Sequence, residues 1–143
     1  MRTYDFYRAN VPGFEEATII DTASQIGTRE SRRIIGEYVI KDEDVPGGKF
    51  EDSIGTGVTW TGKRAGESFD FPYRALVPQK IQNLLYAGRC ISATHEAHEN
   101  TREIPNCWVT GQGAGVAAAI AVRHSLPPRE VPLATLQQEL RVL

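Results

Sequence analysis

The first periodic stretch of apolar positions runs from Pro12 to Ile26. Phe14, Ala17, Ile20 and Ala23 or Ser24 recur at helical spacing behind the Pro12-Gly13 punctuation. Glu15 and Glu16 fall in the first turn, where the helix dipole favours carboxylates, and Gly27 supplies a stop, so the pattern predicts a helix over 12–26. The period then changes. Ile34, Ile35, Tyr38, Val39 and Ile40 are β-branched or aromatic and crowded, which predicts a strand over 31–40, bent near Gly36 and ended by the polar cluster Lys41-Asp42-Glu43-Asp44. Residues 42–57 are rich in Gly and Asp and read as turns around a short extended piece. Val58 to Thr61 reads as a further strand and Gly62 to Gly66 as a turn leading to Phe69-Asp70-Phe71-Pro72-Tyr73.

In the second half, Asn83-Leu84-Leu85-Tyr86-Ala87-Gly88 is a short apolar run closed by Gly, the pattern of a buried strand in a parallel sheet covered on both faces. Residues 89–103 are polar and read as irregular. Pro105 then stands where a helix can begin, its missing N–H costing nothing in the first turn. The stretch 105–124 is the clearest helix, dense in Ala but carrying Gly111, Gly113 and Gly115, each of which costs roughly 0.5–1 kcal/mol relative to Ala. Such a cost points to close packing of backbone against a neighbour. Pro127-Pro128 breaks the chain before a short amphipathic helix over Leu133–Leu140, and no internal repeat occurs.

Composition narrows the classes. The 143 residues, 41% hydrophobic and 24% charged, fit one compact domain. Sixteen basic against eighteen acidic residues leave a formal charge of −2, which gives no electrostatic case for a nucleic-acid partner. The longest purely apolar run, Val116 to Val122, falls far short of the roughly 20 residues of a membrane span. The opening Met-Arg-Thr-Tyr-Asp-Phe has no apolar stretch behind it, so no secretory signal is read and a cytoplasmic location is the default expectation. Cys90 and Cys107 make no disulfide framework and read as reduced thiols.

Four constellations could carry chemistry. Gly111-Gln112-Gly113-Ala114-Gly115 suggests a phosphate-cradling loop, but a GxGxxG register starting at Gly111 meets Val116 where a third small residue belongs, so helix packing is the better account. His95-Glu96-Ala97-His98-Glu99 suggests a metal, yet the histidines are three apart rather than four, with no third ligand at spacing; no metal is expected. Cys107 with His95 or His98 could form a thiol and its base, although a free Cys is more often a small buried hydrophobe. Arg29, Arg32 and Arg33 either form a solvated, salt-bridged edge or hold an anionic cofactor or carboxylate, and the residues alone leave both readings open.

Several segments in order resemble one family. They are Ile26-Gly27-Thr28-Arg29-Glu30-Ser31-Arg32-Arg33-Ile34-Ile35-Gly36-Glu37-Tyr38; Phe71-Pro72-Tyr73-Arg74-Ala75-Leu76-Val77-Pro78; Asn83 to Glu96; and Gly111 to Ala119. Over residues 11 to about 140 the chain is similar to the C-terminal part of FAD-dependent oxidoreductases, a family distantly related to the succinate dehydrogenase and fumarate reductase flavoproteins. That resemblance implies an α/β fold, or α+β in isolation: a C-terminal fragment of a Rossmann-like FAD-binding domain joined to part of a β-rich substrate domain. Residues 1–80 would belong to the substrate or cap domain with its leading helix, and 81–143 would complete the FAD domain. It further implies that Gly88 and Arg89 approach the ribityl and pyrophosphate portion of FAD. The loop Ile91 to Arg102, with Ser92 and Thr94, would lie by the flavin ring, and the helix starting near Pro105 would aim the amides of Asn106 and Cys107 at it. Arg29 is a further cofactor contact. His95 and Arg102 are the candidates for acid or charge stabiliser in hydride transfer at flavin N5.

The family's N-terminal strand–GxGxxG–helix fingerprint is absent from this sequence, and Gly113 stands where relatives carry Ala. The expectation is therefore roughly the final third of a flavoenzyme, with FAD binding weak or absent in the isolated chain. Its partners would be a small-molecule substrate and either the missing half or copies of itself covering the Ala/Gly face of the 105–124 helix. The alternatives are a non-catalytic oligomeric or binding module and, far behind, a metal hydrolase using His95 and His98.

Overall fold

A computed structural model describes residues 2–60 and 65–142. Helix α1 spans Arg2–Asn10, strands β1 and β2 span Ser53–Val58 and Ser68–Pro72, and helices α2, α3 and α4 span His95–Thr101, Ile104–His124 and Leu133–Leu140. Single 3₁₀ turns lie at Asp42–Asp44, Tyr73–Ala75, Gly88–Cys90 and Pro128–Glu130.

The two strands pair antiparallel, with Thr56 opposite Asp70 and Val58 opposite Ser68, and the register slips between Ser53 and Thr56. Phe69 and Phe71 are fully buried, their rings 4.9 Å apart, and anchor a core completed by Ile40, Leu76, Ile91, Ile120 and Leu136. α3 lies across β1, and Gly113 makes that approach possible: a Cβ there would sit 2.5 Å from Ile54 Cδ1 and 3.1 Å from Ile54 Cβ. α4 closes the other side of α3 through the fully buried Leu136. Asp52 is almost completely buried and accepts from the backbone N–H and guanidinium of Arg74 at 3.0–3.2 Å, joining the start of β1 to the turn after β2. Buried Tyr73 donates from its hydroxyl to the Pro128 carbonyl at 2.7 Å.

α3 and α4 match the sequence reading within one residue. Elsewhere the structure corrects it. Residues 12–26 form no helix: Gly13 adopts φ +92° and its N–H is taken by the Glu15 carboxylate at 3.0 Å, and the chain runs on without regular secondary structure through Thr18-Ile19-Ile20. Amphipathic helices draw most of their stability from packing, and here Phe14 meets the Tyr7 ring of α1 at 5.2 Å while Ile20 is 97% exposed. The helix lies earlier, at α1.

The 31–40 strand is reduced to two isolated bridges, Gly36 with Pro78 and Ile40 with Ala93. The segment switches partners at Gly36, so no ladder builds. The strand placed at Val58–Thr61 ends at Val58, having begun at Ser53. Thr61 and the 62–64 part of the Gly-rich turn lie outside the described residues.

Asn83 to Gly88 is not a strand either. Asn83 takes the left-handed conformation at φ +56°, and no parallel neighbour exists among the described residues, so the apolar run lacks the sheet its pattern anticipates. The 89–103 segment is more regular than expected, because Thr94 caps α2 by accepting from the Ala97 amide at 3.3 Å. The result is a mixed α/β arrangement with one two-stranded sheet among the described residues. No helix among them is long and apolar enough to cross a membrane.

Candidate functional site

Three segments meet at the N-terminal end of α3. The Gly88–Cys90 turn is fixed against the helix: Gly88, at φ +70°, donates its N–H to Thr110 Oγ1 at 2.9 Å, and that hydroxyl donates back to the Cys107 carbonyl at 3.0 Å. The Thr28–Arg32 stretch is tied to the turn by Arg89, whose Nη1 donates to the Thr28 carbonyl at 3.1 Å. The end of α2 supplies Arg102 immediately before α3. Arg29, Arg89 and Arg102 thereby line one cavity of about 340 Å³ with Glu103 and Ile104. A smaller recess of about 160 Å³ shares Arg29 and Arg89 and adds Glu30 and Arg32. Glu30 is already engaged by Arg33 and by His95 Nδ1, the latter at 2.8 Å. Among the described residues Glu103 is the one carboxylate lining the larger cavity, beside three guanidinium groups.

α3 opens on this cavity without a side-chain cap and with no acidic residue in its first turn. Pro105 has no N–H to offer, and the Cys107 amide is taken by the Glu103 carbonyl at 2.8 Å. That corrects the expectation of a free Cys107 amide. The amides of Ile104 and Asn106 have no partner among the described residues, and with the helix dipole they add to the positive potential of the arginines.

The remaining nominated residues do different work. The Asn106 side chain faces away from the cavity, fully buried: Oδ1 accepts from the Val58 amide at 3.0 Å, and Nδ2 donates to the carbonyls of Val58 and Asn100 at 2.9 and 2.8 Å. Ser92 is buried and accepts from the Gly36 amide at 2.9 Å. Thr94 is the α2 cap. His95 is largely exposed and reaches the cluster only through Glu30. Cys107 Sγ donates to the Arg102 carbonyl at 3.2 Å, and burial pushes the thiol's pKa up despite the opposing charge of Arg89, so it is no activated nucleophile. Among the described residues no three His, Cys, Asp or Glu group as a metal site.

Sequence reasoning passed over His98 as a contributor to this corner. Its ring is 1% exposed, and Nε2 lies 2.7 Å from the Arg89 carbonyl. A carbonyl can only accept, so Nε2 carries the hydrogen and Nδ1 is a bare, buried lone pair without a partner. Burial first, then the charges of Arg33, Arg102 and His95, lowers the pKa against the opposing hydrogen bond to Arg89. A neutral imidazole thus braces the backbone of the arginine turn. The clue available in the sequence was positional: His98 follows the Thr94 cap by one helical turn, on the face α2 turns inward.

The sequence model of the FAD dependent oxidoreductase family matches residues 2–140. The chain belongs to that family. No curated protein and no solved structure matches it. For an FAD dependent oxidoreductase the donor set of the arginine cavity fits the cofactor's chemistry, since guanidinium groups and open amides at a helix N-terminus suit anionic or electron-rich oxygens.

Proposed function

We propose that this chain forms one wall of a flavin-dependent oxidoreductase site, with the cavity of Arg29, Arg89 and Arg102 and the amides of Ile104 and Asn106 holding electron-rich groups of FAD. The observation that carries the reading is the convergence of these three arginines, from positions far apart in the chain, on the uncapped end of a 21-residue helix. When bound, FAD supplies two-electron redox chemistry through its flavin ring. Arg102 and the α3 dipole stabilise negative charge at that end of the site. Glu30 orients His95 through Nδ1, leaving Nε2 outward as the atom that holds or delivers a proton to substrate. Gly88 and the His98 brace fix the Arg89 turn, and hydride transfer at flavin N5 is the reaction this arrangement serves.

The sequence has no strand–GxGxxG–helix unit, so the contacts to adenosine are supplied from outside these residues and affinity for FAD in the isolated chain is weak. That same absence favours a second reading, a non-catalytic module without cofactor. Titration with FAD, followed by visible absorbance and by quenching of the exposed Trp108 at the second turn of α3, separates the two. Saturable binding that is lost in an Arg29→Glu/Arg102→Glu variant of unchanged circular dichroism supports the flavin site. Identical traces for both proteins up to about 1 mM FAD, a contribution under roughly 4 kcal/mol, overturn it.

A further inference from the structure

Arg29, Arg89 and Arg102 repel one another, and among the described residues none of them is in an ion pair. Their convergence therefore leans on backbone ties, and three of those ties lead to His98. The ring donates from Nε2 to the Arg89 carbonyl at 2.7 Å. The His98 carbonyl accepts from the Arg102 amide at 3.2 Å. Arg29 is held at second hand, because Arg89 Nη1 donates to the carbonyl of the preceding residue, Thr28, at 3.1 Å. One histidine on α2 thus connects to all three cations of the cavity.

The ring can do this only while it is neutral. With Nε2 carrying the hydrogen, Nδ1 is the sole place for a further proton, and it is buried without a partner. Thr101 Oγ1, one turn along α2, is likewise buried and unpartnered, so the two do not meet. A proton on Nδ1 would create a buried cation with an unsatisfied donor. The charges that bear on the ring are those of Arg33, from the stretch beside it, and of Arg102 and His95, from its own helix. The carboxylates of the neighbouring elements are engaged elsewhere or face water. Glu30 is held by Arg33 and His95, Asp44 by the Tyr38 hydroxyl and the Lys41 amide, and Glu43 by Lys41. Asp42, Glu96 and Glu99 are exposed, and Glu103 lines the cavity itself. The thiols of Cys90 and Cys107 are spent on the carbonyls of Ala87 and Arg102. A charged ring is relieved only by leaving for solvent, and the Arg89 carbonyl then loses its donor.

We propose that His98 is a positioning residue for the arginine cavity: its neutral ring keeps Arg29, Arg89 and Arg102 converged, and protonation of Nδ1 lets them part and releases the anionic ligand. The release step rests on the flavin reading given above. Its sign is unusual. An imidazole that gains charge near an anion site ordinarily tightens the anion, and His95 at the edge of the cluster acts in that ordinary sense. His98 acts in the opposite one, because it works through a backbone carbonyl that the charged ring abandons.

Two measurements on the full chain between pH 7 and 5 test this. The first is FAD binding followed by Trp108 quenching, since the charge of FAD itself is constant over that range. Binding should weaken about tenfold towards pH 5. His98→Gln keeps a donor for the Arg89 carbonyl and has no site for a proton, so it should bind as the wild type does at pH 7 and lose the weakening. His98→Leu should bind weakly at both ends. The second is hydrogen exchange of the Gly88 amide, which Thr110 Oγ1 holds at 2.9 Å in the arginine turn. Its protection, taken relative to the unstructured rate at each pH, should fall about tenfold in the wild type with circular dichroism unchanged, and stay constant in His98→Gln. Equal or tighter FAD binding at pH 5 with His98 intact, constant Gly88 protection in the wild type, or a His98→Gln protein with the wild-type pH dependence would each overturn the proposal. FAD binding absent from every protein at every pH strikes the flavin reading by itself, and Gly88 protection then decides the role of His98 alone.

Discussion

The two faces of α3 are built from much the same small residues and behave oppositely. On the inner face Asn106, Thr110, Gly113, Ala117, Ile120 and Ala121 are buried, and Gly113 is a close-approach residue because Ile54 fills the space where its side chain would stand. On the outer face Gly111 and Gly115 have nothing within 4 Å of the position a Cβ would take. A small residue in a helix thus records an approaching neighbour on one side and only an unoccupied place on the other. Composition cannot tell the two apart; packing can.

Mutations that probe each face sharpen the contrast. The largest effect is expected on the inner face at Asn106. Asn106→Ala strands the amide and carbonyl of Val58, while the carbonyl of Asn100 keeps the Glu103 amide at 3.2 Å, and a loss of about 3 kcal/mol in urea unfolding follows from leaving the two Val58 groups unpaired. Gly113→Ala forces Ile54 aside and should cost about 1–2 kcal/mol. Gly111→Ala should do the reverse and add about 0.5–1 kcal/mol, because the helix gains propensity and nothing is displaced. A destabilised Gly111→Ala protein would mean that the outer face is tightly packed already at that turn.

The smallest effect concerns acid. His98 has a lowered pKa in the folded chain, so the unfolded chain binds its proton first as pH falls. The stability His98 contributes is complete above its unfolded pKa of about 6.5 and is lost as pH drops from there through the lower folded value. His98→Gln, which can still donate to the Arg89 carbonyl, should flatten that part of the stability profile measured between pH 7 and 5.

The legible parts of the fold were those decided by local periodicity. α3 and α4 could be read almost to their ends, because Pro105, Pro127-Pro128 and the alanine run act within a turn or two of themselves. The apolar segments 31–40 and 83–88 could not, since a strand exists only with a partner, and among the described residues the first meets isolated bridges and the second a single backbone bond, Tyr86 to the Leu76 carbonyl. α2 was hidden by its polar composition, though the Thr94 cap was in plain view. At the site, Arg29, Arg89 and Arg102 could each be nominated singly from the family resemblance, but that they share a cavity is a fact of tertiary structure. His98 escaped for a related reason: its role lies in a backbone carbonyl, Arg89's, which no side-chain pattern advertises.

Asn106 stands in two places at once. Its backbone amide, without a partner among the described residues, stands in the first turn of α3 beside Ile104 of the arginine cavity, while its side chain completes the hydrogen bonding of Val58, acting for one residue as a third strand of the sheet. On the proposed reading, a group held by that amide also loads the end of β1. By reciprocity, occupancy should slow hydrogen exchange at Val58, and loosening the sheet should weaken occupancy by the same factor. On that reading ligand grip and sheet stability are adjusted together, because one amino acid is the hinge pin of both.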